Sequence, residues 1–488
     1  MFFYYMFLSH LKICRYDGKT SFISSPLTAF PAQIDIIKTN ISCRRLINSE
    51  CLISVLKPTD MRKIVFSILT LLITHPGLLQ AQKTYLHCGK LVDVNTLQVK
   101  ERMTIVVEAN KIVEVKSGFT AGTSSDKVID LTKFTVMPGL MDMHVHLEGE
   151  TKKGGALERF TQNPEEIAFE SAKYAEITLM SGFTTVRDLG GSGVNIALRN
   201  AINKGLVIGP RIFTAGKAIG TTGGHADPTN GYRRDLMGDP GPKEGVVNGV
   251  EDGRKAVRQR YKDGADLIKI TATGGVLSLA KNGQNPQFTE EEIKAIVETA
   301  KDYGFIVAAH AHGAEGIKRA IRAGVTSIEH GTLMDDEAIE LFKKYGTWYI
   351  PTITAGKSVA DSAKIPGYYQ PIVVPKAISI GAQVQSTFAK AYKAGVKVAF
   401  GTDAAVFAHG KNYMEFQYMA EAGMPALETI KCATLNAADL LGMKNTLGSI
   451  DVGKIADIVA VEGDPSVDIK VMKNVVFVMK EGVVYKTK

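Results

Sequence analysis

Apolar and polar positions are patterned in two ways along this chain, and the change from one to the other marks out its parts. Between Lys83 and Val136 the apolar residues fall in short runs at 85–91, 104–107, 111–115 and 128–130, which predict strands. Asn110, at a turn position in Glu108-Ala109-Asn110-Lys111, predicts a hairpin between the second and third. The same β character returns at 456–461, 475–479 and 483–485. Neither set has enough strands for a stable sheet. The two ends are therefore expected to pair into one small β-sandwich domain, with parts at 83–137 and 442–488.

Between them, over 138–441, short apolar strands alternate with helical segments, the pattern of an α/β protein with a parallel sheet. The predicted strands are 140–147, 184–188, 211–215, 267–271, 306–309, 327–329, 348–352 and 396–401. Helices are predicted over 290–301, with Ile293, Ile296, Val297 and Ala300 on one face, and over 314–323. Eight strands in a segment of this length fit a (β/α)8 TIM-like barrel. A doubly wound sheet would need a glycine-rich phosphate loop after its first strand, and Leu147-Glu148-Gly149-Glu150 is not one.

The start of the chain has a different character. Arg62-Lys63, an apolar run to Ile73, Leu78 and Leu79, and Ala81 read as a signal peptide over 61–82, predicting export to the bacterial periplasm or outside. Thr74-His75-Pro76-Gly77 breaks the run, which is too short to span a membrane. Residues 1–60 show no periodic pattern and are read as an over-extended start.

Composition narrows the function classes. With 45% hydrophobic and 22% charged residues the 488-residue chain is an ordinary globular protein. Its net charge of +8 is spread among acidic residues with no basic stripe, which argues against nucleic-acid binding. Only two of the five cysteines, Cys88 and Cys432, lie beyond residue 82, so no disulfide framework is expected.

The candidate chemistry sits at strand ends. His144 and His146 follow one another on one face of the first strand, because strand side chains alternate. Lys269 lies in the fourth strand, His310 and His312 end the fifth, His330 the sixth and Asp403 the eighth; with His225, six of the ten histidines are in this set. Singly, Lys269 reads as a strand-edge lysine and Asp403 as a helix cap. As an ordered set on successive strand ends they predict a metal site, since a barrel brings those ends to one face. An ammonium buried in an apolar strand has a depressed pKa and can react with carbon dioxide, giving Lys269 an anionic oxygen able to bridge two cations. Spacing leaves His310 and His312 as equal candidates.

These residues, with the lead-in Val136-Met137-Pro138-Gly139-Leu140-Met141-Asp142 and the return Gly448-Ser449-Ile450-Asp451-Val452-Gly453-Lys454, closely resemble the amidohydrolase superfamily from about Lys83 to the C-terminus. Thr222-Gly223-Gly224-His225-Ala226-Asp227, Lys269-Ile270-Thr271-Ala272-Thr273-Gly274-Gly275 and His310-Ala311-His312-Gly313 are similar to its imidazolonepropionase-like branch of Xaa-Pro and Xaa-Arg dipeptidases and ochratoxin amidohydrolases.

The resemblance implies two divalent ions, zinc by ligand type, with His144, His146 and Asp403 on one, His310 and His330 on the other, and N6-carboxylated Lys269 between them. It implies hydrolysis of an amide next to a free carboxylate, in a dipeptide or other small molecule. Asp403 would carry the proton, and His225 and His312 would hold the carbonyl or oxyanion. His225, Tyr232 and Arg233 are the candidate substrate-binding residues. Cyclic amides, esters or lactones are the alternative substrates, and a non-catalytic metal-binding relative the alternative class. By analogy with relatives a homo-oligomer is expected.

Overall fold

The computed structural model describes residues 82–279 and 282–488. The extension over 1–60 and the expected signal segment lie outside them, apart from Gln82. No helix among the described residues is long and apolar enough to cross a membrane.

The two ends of the chain do pair. Strands β1 (Lys83–Asp93), β2 (Gln98–Glu108), β3 (Lys111–Ser117) and β4 (Lys127–Pro138) join the C-terminal β12 (Ile458–Val461), β13 (Val475–Lys480) and β14 (Val483–Thr487). The expected sandwich is one continuous seven-stranded sheet, in the order β14-β13-β12-β4-β1-β2-β3. It is not split in two because β4 pairs with both β1 and β12, and β3 bonds back to the turn before β12 through Ile112 N to Lys454 O (2.9 Å). Its inner face, with Leu86, Ile105, Val136, Ile458 and Phe477, is buried as a core of its own. In the β2–β3 hairpin the left-handed residue is Ala109 (φ 52°) and not Asn110.

The middle of the chain forms parallel strands with helices between them. These are β5 (Leu140–Val145), β6 (Phe183–Asp188), β7 (Arg211–Thr214), β8 (Ile268–Thr271), β9 (Val307–Gly313), β10 (Ser327–Leu333) and β11 (Trp348–Ile350). Full ladders join β5-β6-β7 and β8-β9-β10-β11. Between the two groups Asp266 N donates to Thr214 O (2.8 Å) and Ile219 N to Lys269 O (2.8 Å). The expected eighth strand forms no ladder, but the segment 398–404 bonds both ways. Ala399 N donates to Tyr349 O of β11 (3.1 Å), and on the other side Met143 N reaches Phe400 O (2.9 Å) and Asp403 N reaches His144 O (2.7 Å). Left-handed backbone at Asp403 (φ 59°) and Ala405 (φ 111°) prevents regular pairing there.

The predicted helices form for local reasons. Glu290–Asp302 starts at a capping box in which Thr289 and Glu292 satisfy each other's backbone N–H groups, and it buries Ile293, Ile296, Val297 and Ala300. Ala314–Arg322 buries Ile317, Ala320 and Ile321 on one stripe.

The sheet domain supports one end of the parallel strands. Arg211, at the start of β7, pairs with Asp457 (2.7 Å) and Glu481 (2.6 Å), and buried Lys480 donates to Gly209 O (2.8 Å). Gly139 is the junction between β4 and β5, where a Cβ would lie 2.2 Å from Thr184 Oγ1. The opposite, C-terminal strand ends are left for chemistry.

Candidate active site

Every residue of the expected metal set comes to those C-terminal ends. Asp403 Oδ1 lies 3.4 Å from His144 Nε2 and 3.3 Å from His146 Nε2, and one ligand atom from each of the three falls within 4.8 Å of the others. Lys269 Nζ is 3.4 Å from His144 Nε2. The His330 ring centroid is 5.0 Å from that of His144 and 4.6 Å from that of His310, so the second pair of imidazoles adjoins the first.

The hydrogen bonds around the rings determine which nitrogens face inward. His144 Nδ1 donates to Glu329 Oε2 (3.0 Å), His146 Nδ1 to Gly190 O (2.7 Å) and His310 Nε2 to Gly274 O (3.1 Å). Carboxylates and carbonyls only accept, so these nitrogens carry the protons. The lone pairs are left on His144 Nε2, His146 Nε2 and His310 Nδ1. His330 Nδ1 meets Thr352 Oγ1 (2.8 Å) and His312 Nδ1 meets Thr332 Oγ1 (3.0 Å); a hydroxyl can donate or accept.

Burial favours the neutral form of every imidazole in the site. His146 is the exception in outcome: burial acts downward there, but Asp403 outweighs it and raises the ring above the usual histidine range. Desolvation, with the charge of Lys269 adding to it, lowers His144 to about 4; burial brings His225 to about 4 and His312 to about 3, and holds His310 and His330 well below the usual histidine range. Burial also lowers Lys269 to about 8, against the pull of Glu329 and Asp403. For Asp403 burial acts upward, but His144 and His146 outweigh it and keep the carboxyl low. This set of imidazoles, a carboxylate and a depressed lysine, with outer N–H groups of His144, His146 and His310 already satisfied, fits divalent metal ions.

The strand ends are strained where they carry these groups. His330 (φ 70°), its partner Thr352 (φ 49°) and Asp403 (φ 59°) are all left-handed without being glycine, at a cost of about 1–3 kcal/mol each. At His330 the turn interrupts the alternation of β10, so that adjacent Glu329 and His330 both reach the site.

The cluster forms the floor of a cavity of about 670 Å³, whose lining includes all six ligand candidates with His225 and His312. His225 Nδ1 is buried with no hydrogen-bond partner among the described residues, so one imidazole nitrogen is left over in that wall.

A family model described as the amidohydrolase family matches residues 135–487. This chain belongs to the amidohydrolase family. Among its relatives, the ochratoxinase of Aspergillus niger is 36% identical over 371 residues, covering 72% of this chain and 75% of the relative. A crystal structure of a Xaa-Pro dipeptidase with methionine in its active site is 55% identical, with a TM-score of 0.81, covering 83% of this chain and all (100%) of that one. A prolidase complexed with N-methylphosphonate-L-proline is 34% identical, with a TM-score of 0.76 and the same coverage of 83% and 100%. Both the superfamily and the branch expected from the motifs are the ones found, and this amidohydrolase is a hydrolase acting on C–N bonds.

Two expected substrate-binding residues of the amidohydrolase are not brought to the cavity. Tyr232 packs its ring against Phe160 (5.2 Å between centroids), and the Arg233 side chain is 75% exposed and paired with Asp235. Neither lines the pocket; Asp235, two residues from Arg233, holds its guanidinium on the surface. Conversely, Arg187 and Glu329, which belong to none of the motifs, sit fully buried as an ion pair (2.8 Å) behind His144. Their signal was an ionisable residue of each sign inside two strands that are buried along nearly their whole length.

Gly275 makes room for His225: a Cβ there would lie 2.2 Å from both Cε1 and Nδ1 of that ring. Gly275→Ala should therefore displace His225, lowering kcat/KM about 100-fold while the thermal midpoint stays near that of the parent. Unchanged kinetics would remove His225 from the reaction.

Proposed function

We propose that this protein is an exported, binuclear metal-dependent amidohydrolase that cleaves an amide bond next to a free carboxylate, as a dipeptidase or an N-acyl-amino-acid hydrolase. The observation that carries this reading is the meeting of His144 Nε2, His146 Nε2, Asp403 Oδ1 and Lys269 Nζ, with separations of 3.3–3.4 Å to their nearest partners. The eight parallel segments are read as a (β/α)8 barrel, supported by the bonds that 398–404 makes to both β11 and β5. Export rests on the basic, apolar and small-residue pattern of 61–82.

His144, His146 and Asp403 would hold one ion and His310 and His330 the other, with N6-carboxylated Lys269 bridging them; zinc suits imidazole and carboxylate donors. Such ions, when bound, acidify water and polarise a carbonyl. His310 is preferred to His312 because Gly274 O fixes its proton on Nε2 and leaves Nδ1 as a lone pair. His312, whose partner is a hydroxyl, is free to present an N–H at Nε2.

Asp403, held as a carboxylate beside both first-strand histidines, takes a proton from the attacking water and delivers it to the departing nitrogen. His225 and His312, neutral at pH 7, donate to the oxygen that gains charge as the carbon becomes tetrahedral. Dipeptidase, prolidase and ochratoxinase relatives support an amide bond as the target.

A panel of dipeptides and N-acyl amino acids, run on chelator-stripped and zinc-reloaded protein, tests the reading. Release of a C-terminal amino acid that requires about two metal equivalents is expected; turnover confined to cyclic amides, esters or lactones would replace it, and metal-independent turnover would overturn it. Asp403→Asn should lower kcat by about 1,000-fold or more with the circular dichroism spectrum unchanged, and an active variant would contradict the proton-carrying role.

A further inference from the structure

His144, His146 and His310 each have an outer nitrogen held by a carboxylate or a carbonyl, which can only accept. His330 differs. Its Nδ1 meets Thr352 Oγ1 (2.8 Å), a hydroxyl that can donate or accept. How His330 presents its other nitrogen to the cavity therefore depends on where Thr352 places that hydroxyl.

Thr352 stands at the N-cap of the helix Ile353–Ala363, left-handed at φ 49°. A threonine at this position ordinarily turns its hydroxyl onto the first N–H groups of its own helix. Here it makes no such bond. Glu415, from the helix Met414–Glu421, supplies the acceptors instead: its carboxylate takes Ile353 N (2.8 Å), Thr354 N (2.7 Å) and Thr354 Oγ1 (2.6 Å). Ile353 N belongs to the peptide that follows Thr352, so the carboxylate that caps the helix also fixes the left-handed turn.

The arrangement is a costly one. Glu415 is completely buried with Asp142 adding like charge, and burial pushes its carboxyl up to about 7 in spite of its three donors. A buried carboxylate is an expensive cap for a helix that the Thr352 hydroxyl could cap by itself. What it provides in return is a hydroxyl free to meet His330.

We infer that Glu415 is a positioning residue for the second cation. By capping the helix in place of Thr352, it releases that hydroxyl to accept from His330 Nδ1, and the His330 Nε2 lone pair is left for the ion. This rests on the binuclear reading given above, and it concerns the ion of His310 and His330 alone.

The test measures zinc binding to the full chain by equilibrium dialysis over a buffered range of free zinc. It compares the parent with Glu415→Gln, Thr352→Val, Thr352→Ser and the double variant Glu415→Gln/Thr352→Val. Glutamine keeps one acceptor but sets its own N–H groups against those of the helix. The parent should bind two ions. Glu415→Gln and Thr352→Val should each weaken one of them by about 10- to 100-fold and leave the other within about threefold, while Thr352→Ser, which keeps the hydroxyl, should match the parent within about threefold. Because both losses run through one hydroxyl, the double variant should bind no more weakly than the worse single variant. In crystals grown at intermediate zinc, the anomalous peak against His310 and His330 should lose occupancy and the peak against Asp403 should keep it.

Equal weakening of both ions, a loss confined to the ion at Asp403, additive losses in the double variant, or parent-like binding by Glu415→Gln would overturn the inference and leave the binuclear reading standing. Fewer than two ions in the parent would overturn both. Should Glu415→Gln fail to fold, Thr354→Val, which removes only the 2.6 Å bond to the carboxylate, carries the test. Weakening of the same ion by about 3- to 10-fold then supports the inference, and unchanged binding overturns it.

Discussion

Glu329 is the group on which the geometry of this site turns. It lies fully buried between Arg187, at 2.8 Å, and His144 Nδ1, at 3.0 Å, with Ser327 Oγ donating to it at 2.5 Å. Burial alone would push its carboxyl up, but Arg187 and His144 outweigh that and bring it down to about 2. The charge can be carried in the interior because Arg187 is buried with it and donates to Met143 O (2.6 Å) and Ser327 Oγ (3.0 Å); unpaired, either ion would cost several kcal/mol. The result is a fixed proton on His144 Nδ1 and a lone pair aimed into the cavity. Gly190 O and Gly274 O do the same, more simply, for His146 and His310.

The fold separates this work from its own support. Arg211, Lys480 and Asp457 join the sheet domain to the beginnings of the parallel strands, while the strained residues lie at their ends. Segment 398–404 shows the compromise most clearly. It gives up a regular ladder so that Asp403 can turn toward His144 and His146, and the contacts on both sides hold it there. Asp142 reinforces it from beneath, accepting from Thr402 N (3.0 Å), Thr402 Oγ1 (2.7 Å) and Asn412 Nδ2 (2.8 Å).

Much of this was legible in the sequence because the signals were periodic. Apolar runs located β5 to β11 to within a few residues, except that β9 and β10 extend four residues further, carrying His310, His312 and His330 within the strands. Alternation correctly put His144 and His146 on one side. It failed at Glu329-His330, where a left-handed residue turns two neighbours the same way. It could not show that the β domain is a single sheet, because strand order depends on long-range pairing. Substrate contacts were the least legible: Arg233 has the right chemistry but is captured by Asp235.

Six side chains, from four strands and the segment 398–404, converge at one end of the parallel strands, and the proposed function has them hold two cations around a modified lysine. Anomalous diffraction at the zinc edge from crystals of the zinc-loaded protein tests it most directly. The account predicts two peaks per chain, one against His144, His146 and Asp403 and one against His310 and His330, with density for a carboxyl group extending from Lys269 Nζ to both. A single peak remote from Asp403, or no peak in this cavity, would contradict it.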